Sequence, residues 1–380
     1  MENCPIFKKC GGCQYLNMDY DDTIRIKRDY VLSCFKENNI KAKIDNIIKA
    51  NNPYRYRNKM ILGFKRIKGS IVCGFYEEGS HKIIDLDDCL MHSKEQIALA
   101  KYIKELIKRY KISIYDEDKG IGLLRYILIR ESIRFGDILL TFVVSSDIFP
   151  SRSEIVKNIR LAFPNVKTIV QNINPRHTSI VLGDKERILY GDGYISDTIL
   201  GLKFNTTSKS FYQVNPIQVE KLYKVVLDNL DENKDNILLD AYSGVGTIGL
   251  LASSKVDRVI SVENNKQAHL ASIQNARQNN IKNVSFVLDD ATEYIDSLAI
   301  NKEHVDCVIL DPPRTGTTKE FISAIFKLKP KQVIYVSCDP LTLSRDLKEL
   351  TKSYNINSVT LVDMFCFTKH IESIATLSLK

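Results

Sequence analysis

The sequence predicts an α/β protein: an α+β front part, then a mainly parallel sheet with helices on both faces and an antiparallel strand at its C-terminal end. Three observations lead there. From about Asn215, short apolar runs at Asn236 to Leu239, Arg258 to Val262, Val284 to Leu288, Cys307 to Leu310 and Gln332 to Val336 alternate with helix-like stretches such as Asn264 to Asn279. Continuous apolar strands separated by helices indicate a parallel sheet buried on both faces. The tail breaks this alternation, because Ser358 to Asp363 and Glu372 to Leu379 follow each other through a short connection, as an antiparallel pair does. Finally, 380 residues with 44% hydrophobic content suffice for two ordinary cores.

Taken in order, the front part opens with closely spaced cysteines and an amphipathic stretch from Tyr20 to Asn38. Strand-like runs follow at Lys59 to Phe64 and Ser70 to Tyr76. Residues 94 to 110 carry Ile97, Ala100, Ile103, Ile107 and Tyr110 at helical spacing. Then come β-rich segments: Leu123 to Glu131, Asp137 to Val144, Thr168 to Asn172 and Ser179 to Leu182. The division is therefore 1–90, cysteine-rich and basic; 91–215, a central α+β domain; and 216–380, the alternating domain. No repeat or low-complexity segment interrupts it.

The formal net charge is +8, and it is unevenly spread. Up to residue 215 there are 35 Lys and Arg against 25 Asp and Glu; from 216 onward, 19 stand against 21. No acid occurs between Asp45 and Glu77, where Arg55, Arg57, Lys59, Lys65 and Arg66 alternate with Tyr54, Tyr56 and Phe64. Basic and aromatic residues mixed in this way suit phosphate contact and base stacking; a solvated lysine-rich surface is the alternative. There is no run of eighteen apolar residues, and Met1-Glu2-Asn3-Cys4 lacks a basic segment followed by an apolar stretch. The expectation is a cytoplasmic protein with no membrane segment, whose nine cysteines stay reduced.

The first turn of the alternating domain reads Leu239-Asp240-Ala241-Tyr242-Ser243-Gly244-Val245-Gly246-Thr247-Ile248-Gly249. Gly244 and Gly246 let the backbone turn sharply beside a ligand at the carboxyl edge of the sheet. Glu263 closes the next strand, where its carboxylate can accept hydrogen bonds from both ribose hydroxyls. An adenosine cofactor is implied. The glycine spacing also fits a dinucleotide fingerprint, but Asp311-Pro312-Pro313-Arg314 after the fourth strand occupies the position where amino-group and carbon methyltransferases carry an acidic-Pro-Pro signature. This favours S-adenosylmethionine over NAD; a rigid strand-ending turn is the plainer reading of the prolines.

The fifth strand ends in Ser337-Cys338-Asp339-Pro340. A thiol at that tip shares the crevice with Gly244 and Asp311, and a helix beginning near Leu341 is expected to lower its pKa through its N-terminal dipole. The chemistry that calls for a thiolate here is methylation of C5 of uracil, a carbon too electron-poor to attack a methyl donor. Addition of sulfur to C6 makes C5 an enolate carbon. A base must then remove the C5 proton, and Glu372, in His370-Ile371-Glu372-Ser373, is the candidate. Taken singly, Cys338 would read as a buried hydrophobe and Glu372 as a solvated strand residue.

With these residues in view, the chain resembles the RumA/TrmA family of RNA uracil-5 methyltransferases over nearly its whole length. The resemblance rests on Cys10-Gly11-Gly12-Cys13, Tyr56-Arg57-Asn58-Lys59, Phe211-Tyr212-Gln213-Val214-Asn215-Pro216, Asp311-Pro312-Pro313-Arg314, Ser337-Cys338-Asp339-Pro340 and His370-Ile371-Glu372. It implies a Rossmann-like methyltransferase domain, Cys338 as nucleophile, Glu372 as base, and Gln213, Tyr242, Glu263 and Asp311 at the cofactor, with Asp290 on the adenine side. It implies further that Cys4, Cys10, Cys13 and Cys89 hold a 4Fe-4S cluster, although four thiolates also suit zinc. Cys34, Cys73, Cys307 and Cys366 are expected to pack. Many relatives open with an RNA-binding barrel, the TRAM domain; here Cys4 lies almost at the start, so RNA grip is expected from the basic front domain. Cys366 stands where relatives usually have proline.

The implied substrate is a uridine in 23S ribosomal RNA, in the manner of the RlmC/RlmD-like branch, with the tRNA T-loop uridine as the alternative and a monomer as the expected state. Two other classes compete. A non-catalytic iron-sulfur RNA-binding protein would not need Cys338, Asp311 and Glu372 together, and a NAD-dependent oxidoreductase would not bind S-adenosylmethionine.

Overall fold

A computed structural model of the chain describes residues 4–178 and 180–380. Met1 to Asn3 and Ser179, both used in the readings above, lie outside the described residues. From the amino end come α1 (Phe7–Cys10), α2 (Tyr20–Glu37), β1 (Asn46–Ile48), β2 (Lys59–Ile67), β3 (Ser70–Tyr76), β4 (Ile83–Asp85) and α3 (Lys94–Arg109). Then follow β5 (Leu124–Glu131), β6 (Ile138–Val144), α4 (Arg152–Ala162), β7 (Val166–Ile173), β8 (Lys185–Tyr190), β9 (Tyr194–Ile199) and β10 (Leu202–Thr207). The remainder alternates as expected: α5 (Pro216–Asn229), β11 (Asn233–Ala241), α6 (Thr247–Ala252), β12 (Val256–Glu263), α7 (Lys266–Gln278), β13 (Val284–Leu288), α8 (Ala291–Ile300), β14 (Cys307–Leu310), α9 (Lys319–Leu328), β15 (Gln332–Ser337), α10 (Pro340–Leu350), β16 (Tyr354–Val362) and β17 (Glu372–Leu379).

Two compact units result, and neither is one stretch of chain. The first comprises the chain through Asn17, Asn52–Thr198 and Phe204–Pro216; the second comprises Met18–Asn51, Ile199–Lys203 and Ile217–Lys380. Residues 18–51 thus group with the alternating domain. The sequence division at 90 has no counterpart in these units.

In the first unit the strands are ordered β4-β3-β2-β5-β6-β7-β8. All neighbours pair antiparallel except β6 and β7. Strand β2 shows why the sheet has a core face: Met60, Leu62 and Phe64 alternate inward and meet Ile97, Ala100, Ile103 and Ile107 of α3. The helix starts at a capping box formed by Ser93 and Gln96, which satisfies two otherwise orphaned N–H groups. Each of these large side chains contributes about 1.5–3 kcal/mol by burial, and truncating Ile103, which has no exposed surface, costs about 2–5 kcal/mol. Of the strand expected from Ser179 to Leu182, Ser179 lies outside the described residues and Ile180 to Leu182 are not in a strand. Asn174 donates to the carbonyls of Ile180 and Val181, and the Asn172 amide bonds both the N–H and the carbonyl of Gly183. These side chains take backbone groups that a ladder would need.

In the second unit the order is β1-β16-β17-β15-β14-β11-β12-β13. Strands β11 to β15 are parallel to their neighbours among one another, and β17 runs antiparallel to both β15 and β16. The carboxyl ends of the parallel strands therefore open on one edge, where a ligand crevice forms in such sheets. Helix α2 covers part of this unit: Val31 and Phe35 join the core with Tyr335, Leu343 and Leu347, and Asn38 donates to Ser344.

Candidate active site

The side expected to take the cofactor is built at the ends of β11 and β12. After β11, Tyr242 takes the left-handed φ of 61°, an uncommon conformation for a bulky residue. The following turn is tied down by Ser243 N–H to the Val262 carbonyl at 2.9 Å and by Gly244 N–H to Glu263 Oε2 at 2.8 Å. Glu263 also accepts the Asn265 N–H on Oε1 at 2.7 Å, so its carboxylate is held in place at the strand end. Gly249 has no room for a side chain: a Cβ would come within 2.6 Å of Asp240 Oδ2, which accepts the Gly249 N–H at 2.9 Å. Burial pushes the Asp240 carboxyl up to about 7; the Gly249 hydrogen bond opposes this, and the charges of Asp311 and Glu263 add to it.

Tyr242 is fixed from the opposite wall. Its hydroxyl is 2.9 Å from Thr317 Oγ1, and its ring centroid lies 5.6 Å from that of Phe321. Asp346, buried in α10, accepts the Thr317 N–H at 3.0 Å and the Tyr335 hydroxyl at 2.7 Å. Arg345 bonds Asp346 and the carbonyls of Thr315 and Thr317. The loop that carries Arg314 is thereby anchored to the helix that follows Cys338. This network had no signal in the sequence. Asp290 caps α8 through the N–H groups of Thr292 and Glu293; burial raises the Tyr242 phenol, and the Asp290 charge adds to the rise.

Cys338 and Glu372 are brought together by strand register. Ser337 pairs with Ser373 across β15 and β17, so Cys338 and Glu372 stand opposite each other one step further out. Burial pushes the Glu372 carboxyl up to about 8; Asp311 adds to this and Arg314 counters it. Asp311, half-buried at the strand end, is pushed up to about 7 by desolvation. The expected depression of the Cys338 pKa by the helix dipole is overturned. Burial pushes the thiol up to about 11, with the charges of Glu372 and Asp311 adding to the rise and Arg314 opposing it. Desolvation is the largest cause; at the helix end itself, Asp339 caps α10 by accepting the N–H groups of Leu341 and Thr342. Arg314 is the cation that acts on both groups. Its position in the Asp-Pro-Pro-Arg run was the only sequence signal for it.

The other expected cofactor residue, Gln213, belongs to the first unit. Its carbonyl accepts the Asn58 side-chain amide at 3.0 Å, and the Val214 carbonyl accepts the Asn58 N–H at 2.9 Å. In the same unit Cys4, Cys10, Cys13 and Cys89 line one cavity of about 440 Å³, together with Arg57, Lys59 and His92. Desolvation pushes the thiols of Cys13 and Cys89 up to about 12 and about 11, and the neighbouring cysteines add to both shifts. His92 donates Nε2–H to the Lys59 carbonyl at 3.1 Å, which leaves Nδ1 facing Cys89 Sγ at 3.2 Å. Among the described residues, no three His, Cys, Asp or Glu side chains close on a point that would hold one metal ion. Four cysteine thiols lining one cavity are a donor set that either zinc or an iron-sulfur cluster can use. The four remaining cysteines, Cys34, Cys73, Cys307 and Cys366, are buried.

The basic candidates divide. Arg55 is committed within the fold: its guanidinium forms a two-pronged pair with Asp88 at 2.8 Å and bonds the carbonyls of Cys89 and His92. Lys59 is pushed down to about 8 by burial, then by the charges of Arg130 and Arg57. Lys65 and Arg66 have no acidic partner among the described residues and line a second cavity of about 1130 Å³.

Known proteins resemble this chain in sequence and in fold. The model of the tRNA (uracil-5-)-methyltransferase family matches residues 178–380. An uncharacterized RNA methyltransferase of Halalkalibacterium halodurans is 38% identical over 380 residues, covering 99% of this chain and 83% of the relative. One from Clostridium tetani is 38% identical over 377 residues, covering 99% and 82%. Among solved structures, a Pyrococcus abyssi tRNA (uracil-54, C5)-methyltransferase in complex with S-adenosyl-L-homocysteine superposes with a TM-score of 0.81 and 26% identity, covering 99% of this chain and 87% of that one.

Proposed function

The chain belongs to the tRNA (uracil-5-)-methyltransferase family, S-adenosylmethionine-dependent RNA methyltransferases, and from that premise we propose that it methylates C5 of a uridine in RNA through a covalent adduct on Cys338. S-adenosylmethionine, when bound, supplies an electrophilic methyl group on a sulfonium. Cys338 sulfur adds to C6 of the uracil, and the electron pair of the C5–C6 bond becomes available at C5, which takes the methyl. Glu372 then removes the C5 proton, the double bond re-forms, and the C6–S bond breaks to return the thiolate. The observation that carries this reading is the register that sets Cys338 opposite Glu372.

Tyr242, Glu263, Asp290, Asp311 and Gln213 are assigned to the cofactor. Attack on both faces of the ring requires the uridine to leave its stack, and Arg57, Lys59, Lys65 and Arg66 are the proposed phosphate contacts; Arg55 is not among them. Cys4, Cys10, Cys13 and Cys89 would hold a 4Fe-4S cluster with a structural and RNA-positioning role. Among the described residues no helix is long and apolar enough to cross a membrane, and a cytoplasmic location is proposed.

The RNA is proposed to be 23S ribosomal RNA. The likeness to an archaeal enzyme acting on tRNA uracil-54 favours tRNA as the second reading. Purified protein incubated with S-adenosylmethionine and either 23S rRNA or tRNA lacking 5-methyluridine, followed by nucleoside mapping, decides between them. Absence of 5-methyluridine from both would refute uracil-5 activity on these RNAs.

A further inference from the structure

The nine residues joining β16 to β17 form a loop that lies largely inside the second unit: Asp363, Met364, Cys366, Phe367, Thr368 and Ile371 are all buried. Without a ladder, the polar groups of a buried loop must be answered by side chains. Here α2 and α5 answer them. Lys27, 2% exposed, places Nζ 2.6 Å from Asp363 Oδ1 and 3.0 Å from the Phe365 carbonyl. Tyr20 donates its hydroxyl to Asp363 Oδ2 at 2.7 Å and accepts the Ala50 N–H at 2.9 Å, and its ring lies 5.5 Å from that of Phe367. Gln218 donates to the Asp363 carbonyl at 3.0 Å, and the Asp363 N–H reaches the Ile48 carbonyl at 3.0 Å. Phe367 itself holds a left-handed φ of 59°, a conformation that persists only when its surroundings over-determine it.

A lysine and an aspartate this deeply buried add little net stability over an apolar pair of the same volume, because desolvation cancels most of their attraction. What an ion pair supplies and an apolar pair does not is direction. Both carboxylate oxygens of Asp363 are spoken for, at the start of a short connection whose far end is Glu372; Val362, just before Asp363, is the ladder partner of Glu372. The clamp and the carboxyl group are therefore joined through one loop. Among the described residues Lys27 bonds Asp363 and the Phe365 carbonyl of the loop, while Arg314 is the cation that acts on Glu372.

Taking Glu372 as the base, we infer that Lys27, Tyr20 and Asp363 are positioning residues that hold it opposite Cys338 and serve removal of the C5 proton rather than methyl transfer. The test compares wild type, Lys27→Met/Asp363→Leu, Tyr20→Phe and Glu372→Gln in single turnovers with labelled S-adenosylmethionine, reading released product and the methylated RNA–protein adduct that survives denaturing gels. The charge-free double variant should melt close to wild type and bind S-adenosylmethionine unchanged. It should release product at least tenfold more slowly and accumulate methylated adduct, with Tyr20→Phe showing the same change to a smaller extent. A loss of folding lowers the active fraction but does not alter the ratio of adduct to product, so Tyr20→Phe carries the test if the double variant fails to fold. A wild-type ratio in the folded variants, while Glu372→Gln accumulates adduct, overturns this inference alone. If Glu372→Gln accumulates none, the reading of Glu372 as base falls, and this inference with it.

Discussion

Cys338 and Glu372 face one another across the end of the β15–β17 ladder, because Ser337 and Ser373 form its last pair. Residues opposite in an antiparallel pair share one face of the sheet. Burial raises the Cys338 thiol, and the Glu372 carboxyl opposite it adds to that rise. Cys338→Ala is expected to reduce methylation to background with RNA binding retained. Glu372→Gln should lower turnover by about 10²–10⁴-fold, the range for a lost acid–base group, while the methylated adduct persists on a denaturing gel. Normal turnover by Cys338→Ala would rule out covalent catalysis through it.

The pH profile follows from the same pair. Glu372, pushed up to about 8, and Cys338, pushed up to about 11, both work only after losing a proton. The value of kcat/KM should therefore climb between about pH 6 and 9, with no descending limb in that interval. Arg314 lowers both pKa values, so Arg314→Gln should displace the climb to higher pH. A profile of Arg314→Gln superimposable on wild type would remove Arg314 from this role.

Stability should run against activity. A carboxyl whose folded pKa lies above its unfolded one makes the native state bind more protons, so its destabilising effect is absent below the unfolded pKa, near 4, and grows as pH rises to the folded value. For Glu372 that window ends at about 8. Glu372→Gln should raise Tm at pH 8 by at least about 2 °C, with the gain shrinking toward pH 5. A difference independent of pH in calorimetry would show that Glu372 is not the buried titrating group.

Protein purified without oxygen should be brown and contain about four irons and four sulfides per chain, and Cys89→Ala should lose both. Colourless folded protein with stoichiometric zinc would replace the cluster by zinc.

Lys65→Ala/Arg66→Ala should weaken RNA binding, reduce the slope of log K against log salt by about one to two units, and leave S-adenosylmethionine affinity unchanged. An unchanged slope would make this stretch ordinary solvated surface.

Much of the fold was legible in the sequence because its signals are local. The strands at Ser70–Tyr76, Val284–Leu288, Cys307–Leu310 and Glu372–Leu379 fall where their apolar runs place them, and the glycine turn, Asp311 and Cys338 lie at strand ends that the alternation alone locates. Ile180 to Leu182 stay out of a strand for a reason equally local in space but invisible in pattern: the Asn174 amide takes the carbonyls of Ile180 and Val181.

Sequence alone thus determined the alternating sheet and placed the glycine turn and Cys338 at strand ends, since periodicity and spacing act over a few residues. Tertiary structure decided the rest. Lys27 meets Asp363 across 336 positions, α2 groups with the distant alternating domain, and Arg55, one of several alike in the basic run, is the one paired with Asp88. It also reversed the expected direction of the Cys338 pKa, because burial and the neighbouring carboxylates outweigh a helix end already capped by Asp339. Ionisation depends on what surrounds a group in space, and chain order does not carry that information.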